Sequence, residues 1–517
     1  MATYKIGTRG SLLAVTQSTL MKHELERLSG ESFELVLIKT QGDQITNKPL
    51  WQLEGKDFFT KELDEALLKG EVDLVIHSYK DLGSVRPEGI KLAAVTERKF
   101  AHDVLLIPQE NVDKLKDWEG EFVVGTSSPR RITNLTRSLS GFLPHLKAKK
   151  TPIRCETLRG NVNSRIKKLR EGQYHAITLA LAGLERLAQT HKSAEELSGL
   201  LKKMNYLVLP QSTFPAAASQ GALGIETREN RDDNGKLARI IAELAHEKTV
   251  EEVFRERKAF KEYGGGCHLA VGIHVKKVED NFLHVHAGEV DGKEINKKWL
   301  EGVTIPKPTK KKLFVGLPKG TRAGVVYDEY LEKVPEERVL ELESKHVFVT
   351  SRYCLPSLNS SVKGRPATLW AAGTKTAGIL TEAGHWINGT SDSLGTQDLL
   401  ELKNSLALRM MNEDLQDDWI TLSHDDGKNE LGAVIGCYQR KAMAVAPEYE
   451  KELRGVGACF WTSFPEYEHF LKAFPFLKDA LHFCGLGKTW NEFKKAQIPV
   501  TPLAGMDDFY ALAEGSL

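Results

Sequence analysis

The chain has 517 residues, 41% of them hydrophobic, with 71 basic residues against 70 acidic ones and a formal net charge of +1. That length exceeds one core and predicts roughly three to five compact units, and the composition is that of an ordinary soluble globular protein. Near-neutrality excludes a global field for nucleic acid, so any anion binding has to come from local clusters.

The first residues, Met1-Ala2-Thr3-Tyr4-Lys5-Ile6, run into strand-like sequence with no apolar core of a signal peptide. No apolar run approaches the roughly 18 residues that a membrane span needs. Up to about residue 230, short apolar strands (33–39, 72–77, 122–125, 176–180) alternate with amphipathic helices, an α/β layout with largely parallel sheets. Residues 235–262 read as one helical stretch. Then comes Tyr263-Gly264-Gly265-Gly266-Cys267-His268, where three residues without side chains precede a thiol. Glycines let the backbone turn through positive φ and let a bulky group approach. The thiol is therefore either reachable by a large partner or an incidental small residue in a tight hairpin. The other five cysteines are scattered, with no C-x-x-C pair, which argues against a disulfide framework or zinc site and for a reducing cytoplasm.

After Cys267 alternating strands predict a small antiparallel sheet with a helix. The Lys/Pro-rich 305–312 segment reads as a linker. Beyond it the chain repeats. Val347-Phe348-Val349-Thr350-Ser351 precedes Trp370-Ala371-Ala372-Gly373-Thr374, and Cys459-Phe460-Trp461-Thr462-Ser463 precedes Phe483-Cys484-Gly485-Leu486-Gly487 at the same spacing. Two similar α/β lobes with a cleft between them are the expectation.

Four turns carry cations or hydroxyls at strand ends or helix starts: Gly7-Thr8-Arg9-Gly10-Ser11, with Gln17 on the helix that follows; Gly125-Thr126-Ser127-Ser128-Pro129-Arg130-Arg131; Leu158-Arg159-Gly160-Asn161 with Arg165; and Gly183-Leu184-Glu185-Arg186. Helix starts offer unpaired N–H groups, and arginine adds bidentate recognition of carboxylate or phosphate. Taken singly, each is also explained as a capped helix with solvated arginines. Neither G-x-x-x-x-G-K-[ST] nor G-x-G-x-x-G occurs, so the turns do not specify phosphate. Against these cations stands Asp81, just past the end of the buried strand before His77-Ser78-Tyr79-Lys80. A carboxylate there can stabilise a cation or trade a proton; it can also be a helix cap or a salt bridge to Lys80.

These blocks, in this order, closely resemble porphobilinogen deaminase (hydroxymethylbilane synthase) over residues 4 to about 300. The matching blocks include GTRGS, GKDFFTKEL at 55–63, HSYKD at 77–81, GTSSPRR at 125–131, LRGN at 158–161, SQGALGIE at 219–226 and GGGC. The resemblance implies three domains, the first two like type II periplasmic binding proteins: 1–98 with 208–232, then 99–207, then a small α+β domain over 233–304. It implies a dipyrromethane cofactor joined to Cys267 by a thioether. Asp81 would stabilise the cation formed when ammonia leaves porphobilinogen. Ser78, Lys80, Thr126, Ser127, Ser128, Arg130 and Arg131 would hold the cofactor; Arg9, Ser11, Gln17, Arg159, Arg165 and Arg186 would hold the substrate and the growing chain. Lys56 and Phe59 match a mobile loop over the site. Four porphobilinogens would be joined to the primer and the linear tetrapyrrole released by hydrolysis, by a monomer with neither metal nor nucleotide. Gln52, Asp57 and Pro129 depart from the usual pattern and put loop dynamics and turnover in doubt.

Residues 313–517 resemble uroporphyrinogen-III synthase, whose V-F-T-S and A-x-G-x-x-T-A blocks are similar to Val347-Phe348-Val349-Thr350-Ser351 and residues 371–377 here, and whose tyrosine corresponds to Tyr438 of Val434-Ile435-Gly436-Cys437-Tyr438. Thr350, Ser351, Tyr438, Thr462 and Ser463 would then belong to a second site that cyclises the linear product to uroporphyrinogen III. A C-terminal half that only docks or shields product is the alternative for that region, and a carboxylate-binding protein is the alternative for the whole chain.

Overall fold

The computed structural model of the chain describes residues 3–40, 60–83, 85–145, 150–266, 268–317, 320–328, 331–360, 365–424, 429–443 and 449–514. Strands β1 (Thr3–Arg9), β2 (Ser32–Ile38), β3 (Leu74–Ser78), β4 (Ile90–Val95) and a late arrival, β10 (Leu223–Arg228), form one sheet in the order β2-β1-β3-β10-β4. A second sheet, β7-β6-β8-β5-β9, takes β5 (Asp103–Pro108), β6 (Phe122–Gly125), β7 (Ile153–Glu156), β8 (Ala176–Ala180) and β9 (Met204–Val208). In each five-stranded sheet four strands run in one direction and the fifth, β10 or β5, runs antiparallel to both of its neighbours. The expected, largely parallel layout is present, with one reversed strand in each sheet. The reason is topological: β5 and β10 each enter a sheet after the chain has crossed from the other one, at 96–102 and 209–222. Apolar runs such as Leu74-Val75-Ile76 are buried throughout, as strands covered on both faces must be.

The first crossing is pinned by charge. Arg98 donates to Glu256 at 2.6 Å, and the Ser219 and Val275 amides donate to the same carboxylate at 2.7 and 2.9 Å. Burial alone would raise the Glu256 pKa; Arg98 and His274 instead hold it down at about 2.

The stretch expected as one helix over 235–262 is two, Lys236–Ala242 and Glu247–Glu262. The break is made by His246, whose side chain caps the second helix at the Thr249 amide. The second helix packs on a three-stranded antiparallel meander, β11 (Ala270–Val278), β12 (Asn281–Val290) and β13 (Lys293–Glu301). Sequence reasoning missed β13 because it is a polar edge strand.

Past the Lys/Pro segment, β14 (Lys312–Val315) and β15 (Val325–Tyr327) start a parallel sheet that is completed only at the end of the chain. Its order is β15-β14-β22-β23-β24, with β22 (Val456–Trp461), β23 (Leu481–Gly485) and β24 (Thr501–Leu503). Between the two parts lies a six-stranded sheet, β16-β21-β20-β17-β18-β19. Its strands are β16 (Leu331–Pro335), β17 (His346–Val349), β18 (Thr368–Ala371), β19 (Gly389–Thr390), β20 (Trp419–His424) and β21 (Ala433–Ala442). The antiparallel β16–β21 pair carries the chain out and back.

This larger C-terminal lobe shares a core with the second deaminase-like sheet. Val104, Leu179, Tyr206 and Val208 bury together with Phe348, Trp370, Leu399 and Trp419. At the seam the Val208 amide donates to the Asn388 carbonyl at 2.8 Å, and the Asn388 amide group reaches Asn205 and the Tyr206 carbonyl. Gly389 is required there, since a Cβ would come within 2.6 Å of the Trp370 ring. Among the described residues no helix is long and apolar enough to cross a membrane.

Candidate active site

A cavity of about 770 Å³ opens at the C-terminal ends of the parallel strands, between the first two sheets. Arg9 ends β1 and Ser11 follows it, Lys39 and Thr40 follow β2, and Ser78 ends β3, with Lys80 and Asp81 just beyond. The other wall supplies Arg131, Arg159, Asn163, Arg165, Arg186 and Gln220. Local sequence explains these placements. Ser11 caps the helix Leu12–Ser29 at the Ala14 amide, and Asn161 caps Val162–Arg170 at the Ser164 amide. Gly221 sits at φ +94°, where a Cβ would lie 2.0 Å from the Lys99 carbonyl oxygen; only glycine lets the two crossing segments pass so closely.

The wall is cationic, and Asp81 is the one carboxylate among the described lining residues. Arg186 donates to the Gly221 carbonyl at 2.6 Å and Arg165 to the Gly160 carbonyl at 2.7 Å. Burial lowers both guanidinium pKa values to about 10, with Asp81 opposing the shift. Arg131 differs: it grips Asp103 at 2.6 and 3.1 Å and donates to the Thr178 carbonyl. Lys80 donates to Gln220 at 3.1 Å, and Gln220 donates in turn to Asp103 at 2.9 Å.

Burial drives the Lys80 pKa down to about 8, against the pull of Asp81. A lysine with a depressed pKa keeps its charge below that value and loses it above. The KM for a carboxylate substrate is therefore expected to climb as pH passes 8, and Lys80→Arg, always charged, should flatten that limb. A wild-type KM that stays level to about pH 9 would contradict the assignment.

Several expected site residues stand behind the lining. Gln17 accepts from Ser78, Ser127 ties its loop to both backbone groups of Leu158, and the Thr126 hydroxyl accepts from the Ser128 amide. Arg130 is buried against Asp103 at 2.8 Å and the Pro215 carbonyl at 2.9 Å. Pro129 opens the helix Pro129–Ser138 in its first turn, where a missing N–H is harmless. Cys267, Lys56, Phe59, Gln52 and Asp57 lie outside the described residues. Lys39, Thr40, Asn163 and Gln220 were not foreseen as lining. Lys39 ends a predicted strand and Gln220 falls inside the SQGALGIE block, and position at a strand end was the available signal.

Asp64, His77 and Glu226 lie close enough to suggest a metal cluster. Arg86 already supplies the cation there, at 2.5 Å from Asp64 and at 2.7 and 2.8 Å from Glu226. In the C-terminal half, Thr350, Ser351 and Tyr438 come together in one lobe, where the two hydroxyls meet the buried tyrosine. Thr462 and Ser463 belong to the other lobe. There Thr462 donates twice to Glu466, whose pKa burial raises to about 7.

Residues 4–236 match the family described as "Porphobilinogen deaminase, dipyromethane cofactor binding domain". The porphobilinogen deaminase of a Nitratiruptor species is 39% identical over 300 residues, 57% of this chain and 87% of that one. That of Sulfurimonas denitrificans is 35% identical over 343 residues, 66% of this chain and 97% of that one. Among solved structures, the reduced regulatory domain of OxyR2 from Vibrio vulnificus overlaps 47% of this chain and 96% of its own. Its identity is 14% and its TM-score 0.26, too slight a likeness to bear on the fold. With such identity across nearly the whole length of its relatives, and a cationic cleft around Asp81, the chain belongs to the porphobilinogen deaminase family.

Proposed function

We propose that this chain joins four porphobilinogen molecules head to tail on a dipyrromethane held through Cys267 and releases the linear tetrapyrrole by hydrolysis. The observation that carries this reading is the cleft wall itself. Arg9, Lys80, Arg159, Arg165 and Arg186 converge on one space with Asp81 as its lone carboxylate among the described residues. Each pyrrole unit brings two carboxylates and an N–H donor, and this wall offers both kinds of partner. A volume of about 770 Å³ also suits a multi-ring ligand. The residues therefore fit the cofactor, which when bound supplies the free pyrrole carbon to which new units are joined.

The chain's own part is positioning and charge. Arginines orient each incoming porphobilinogen through its acetate and propionate. Asp81 stabilises the positive charge that develops on the substrate's pyrrole nitrogen as ammonia departs. Intact mass under denaturing conditions tests the cofactor link, with wild type beside Cys267→Ala. The expected result is an increment of two linked pyrroles in the wild type alone. A wild-type chain that carries no increment, and that neither porphobilinogen nor preformed bilane can load, would overturn the reading.

For residues 313–517 we propose closure of the linear product to uroporphyrinogen III. The grouping of Thr350, Ser351 and Tyr438 in one lobe supports it. The core shared with the second sheet favours the alternative, a docked half without chemistry. The uroporphyrin isomer formed from porphobilinogen by the chain alone decides: isomer III supports cyclisation, and isomer I alone removes it.

A further inference from the structure

The helix Leu181–Ala188 is buried along its entire length. On one side, Arg186 enters the cleft, where it donates to the Gly221 carbonyl at 2.6 Å. On another, Glu185 meets the C-terminal half. Its carboxylate, 5% exposed, accepts from the Ser405 hydroxyl at 2.7 Å and from the Leu406 and Ala407 amides at 3.2 Å each. Among the described residues no lysine, arginine or histidine pairs with it. A buried carboxylate without a cation is tolerated only when hydrogen bonds replace its water. All three of those donors come from residues 405–407, more than two hundred positions away in sequence.

One short helix thus carries two adjacent charges with opposite duties. Arg186 faces the ligand space, and Glu185 is seated in the neighbouring half. We propose that the C-terminal half, by hydrogen-bonding Glu185 through Ser405 and the two amides, sets the position of Arg186 and with it the cleft's affinity for a carboxylate-bearing substrate. Glu185 is a positioning residue of the first reaction, whatever chemistry residues 313–517 perform. The inference rests on the reading of the cleft as the porphobilinogen site.

The test uses the full-length chain and steady-state kinetics with porphobilinogen. Ser405→Ala removes one donor from the far side of the seam without touching the cleft. It is expected to raise KM about tenfold while kcat holds. Glu185→Ala should do the same, and the double variant should be no worse than Glu185→Ala alone, because both break one contact. Glu185→Gln, which keeps an acceptor oxygen for these donors, should restore most of the wild-type KM. Asp392→Asn is the control at the same seam, since Asp392 accepts from the Gln211 amide at 2.8 Å and the Ser212 hydroxyl at 2.5 Å, away from this helix. It should lower thermal stability and leave KM in place. Unchanged KM in Ser405→Ala and Glu185→Ala, with stability reduced, would make the contact merely structural and overturn the proposal. Should Glu185→Ala fail to fold, Ser405→Ala and Glu185→Gln decide by the same readout. A wild-type chain that does not turn over porphobilinogen would sink the cleft assignment, and this inference with it.

Discussion

Replacement of Asp81 by alanine is expected to slow porphobilinogen turnover by about a thousandfold or more, while dipyrromethane stays attached through Cys267. The size of the effect follows from the imbalance in the cleft. Asp81 is the one carboxylate among the described lining residues, facing Arg9, Lys80, Arg131, Arg165 and Arg186. A cation forming on the substrate in that surrounding is opposed by the charged neighbours among the described lining residues, Asp81 excepted. The cationic wall still binds the substrate's carboxylates, so the loss belongs in kcat and KM should rise little. Asp81→Asn separates charge from shape: it keeps an acceptor for a pyrrole N–H but no countercharge, and it should recover only a small part of the rate. The measurement is ammonia release together with intact mass. Turnover within a few-fold of wild type would remove Asp81 from the mechanism.

The largest structural effect is expected at Asp103. This carboxylate, 1% exposed, holds Arg131 at 2.6 Å, Arg130 at 2.8 Å and the Gln220 amide at 2.9 Å. Burial would raise its pKa, but the two arginines dominate and hold it well below the usual carboxylate range. Asp103→Asn keeps the volume and removes the charge, leaving two buried guanidiniums with no countercharge. The expected cost is about 3–5 kcal/mol in urea denaturation. Activity should fall as well, because Gln220 links Asp103 to Lys80 in the cleft. With a depressed folded pKa, the wild-type contribution is present above the unfolded value of 3.8 and is lost as pH falls below it. A stability loss below about 1 kcal/mol would show that Arg130 and Arg131 find other partners.

Asp103 also marks where reading the chain stops. Arg130 and Arg131 stand side by side in a turn that invites an anion, and nothing local says that a carboxylate near residue 103 is that anion. A long-range ion pair leaves no periodic trace. Asp81, Arg9 and Arg165 were legible because each lies at a strand end or in the first turn of a helix, and strand ends converge in an α/β sheet; Arg186 instead sits in the last turn of the helix Leu181–Ala188. The direction of β5 and β10 was not legible, since an apolar run reads the same whichever way it is threaded. The split of 235–262 turned on a histidine cap, a role that serine, threonine, asparagine or aspartate would have announced. The contact of Glu185 with Ser405 was beyond reach for the same reason as Asp103: its partners lie in the other half of the chain.

The threading of the strands has a consequence for how the molecule is made. In the first sheet β10 lies between β3 and β4, and in the last sheet β22 lies between β14 and β23. Each sheet therefore waits for a strand made long after an earlier neighbour: β10 comes well after β3 and β4, and β22 well after β14. Residues 312–327 emerge early and must stay unpaired on the β22 side while more than a hundred residues of the other lobe are synthesised. An open strand edge is a template for wrong partners. A nascent chain stalled before residue 456 would thus carry its first three sheets beside an exposed β14, so the interval between residues 327 and 456 is the stage at which this edge is open to wrong pairing.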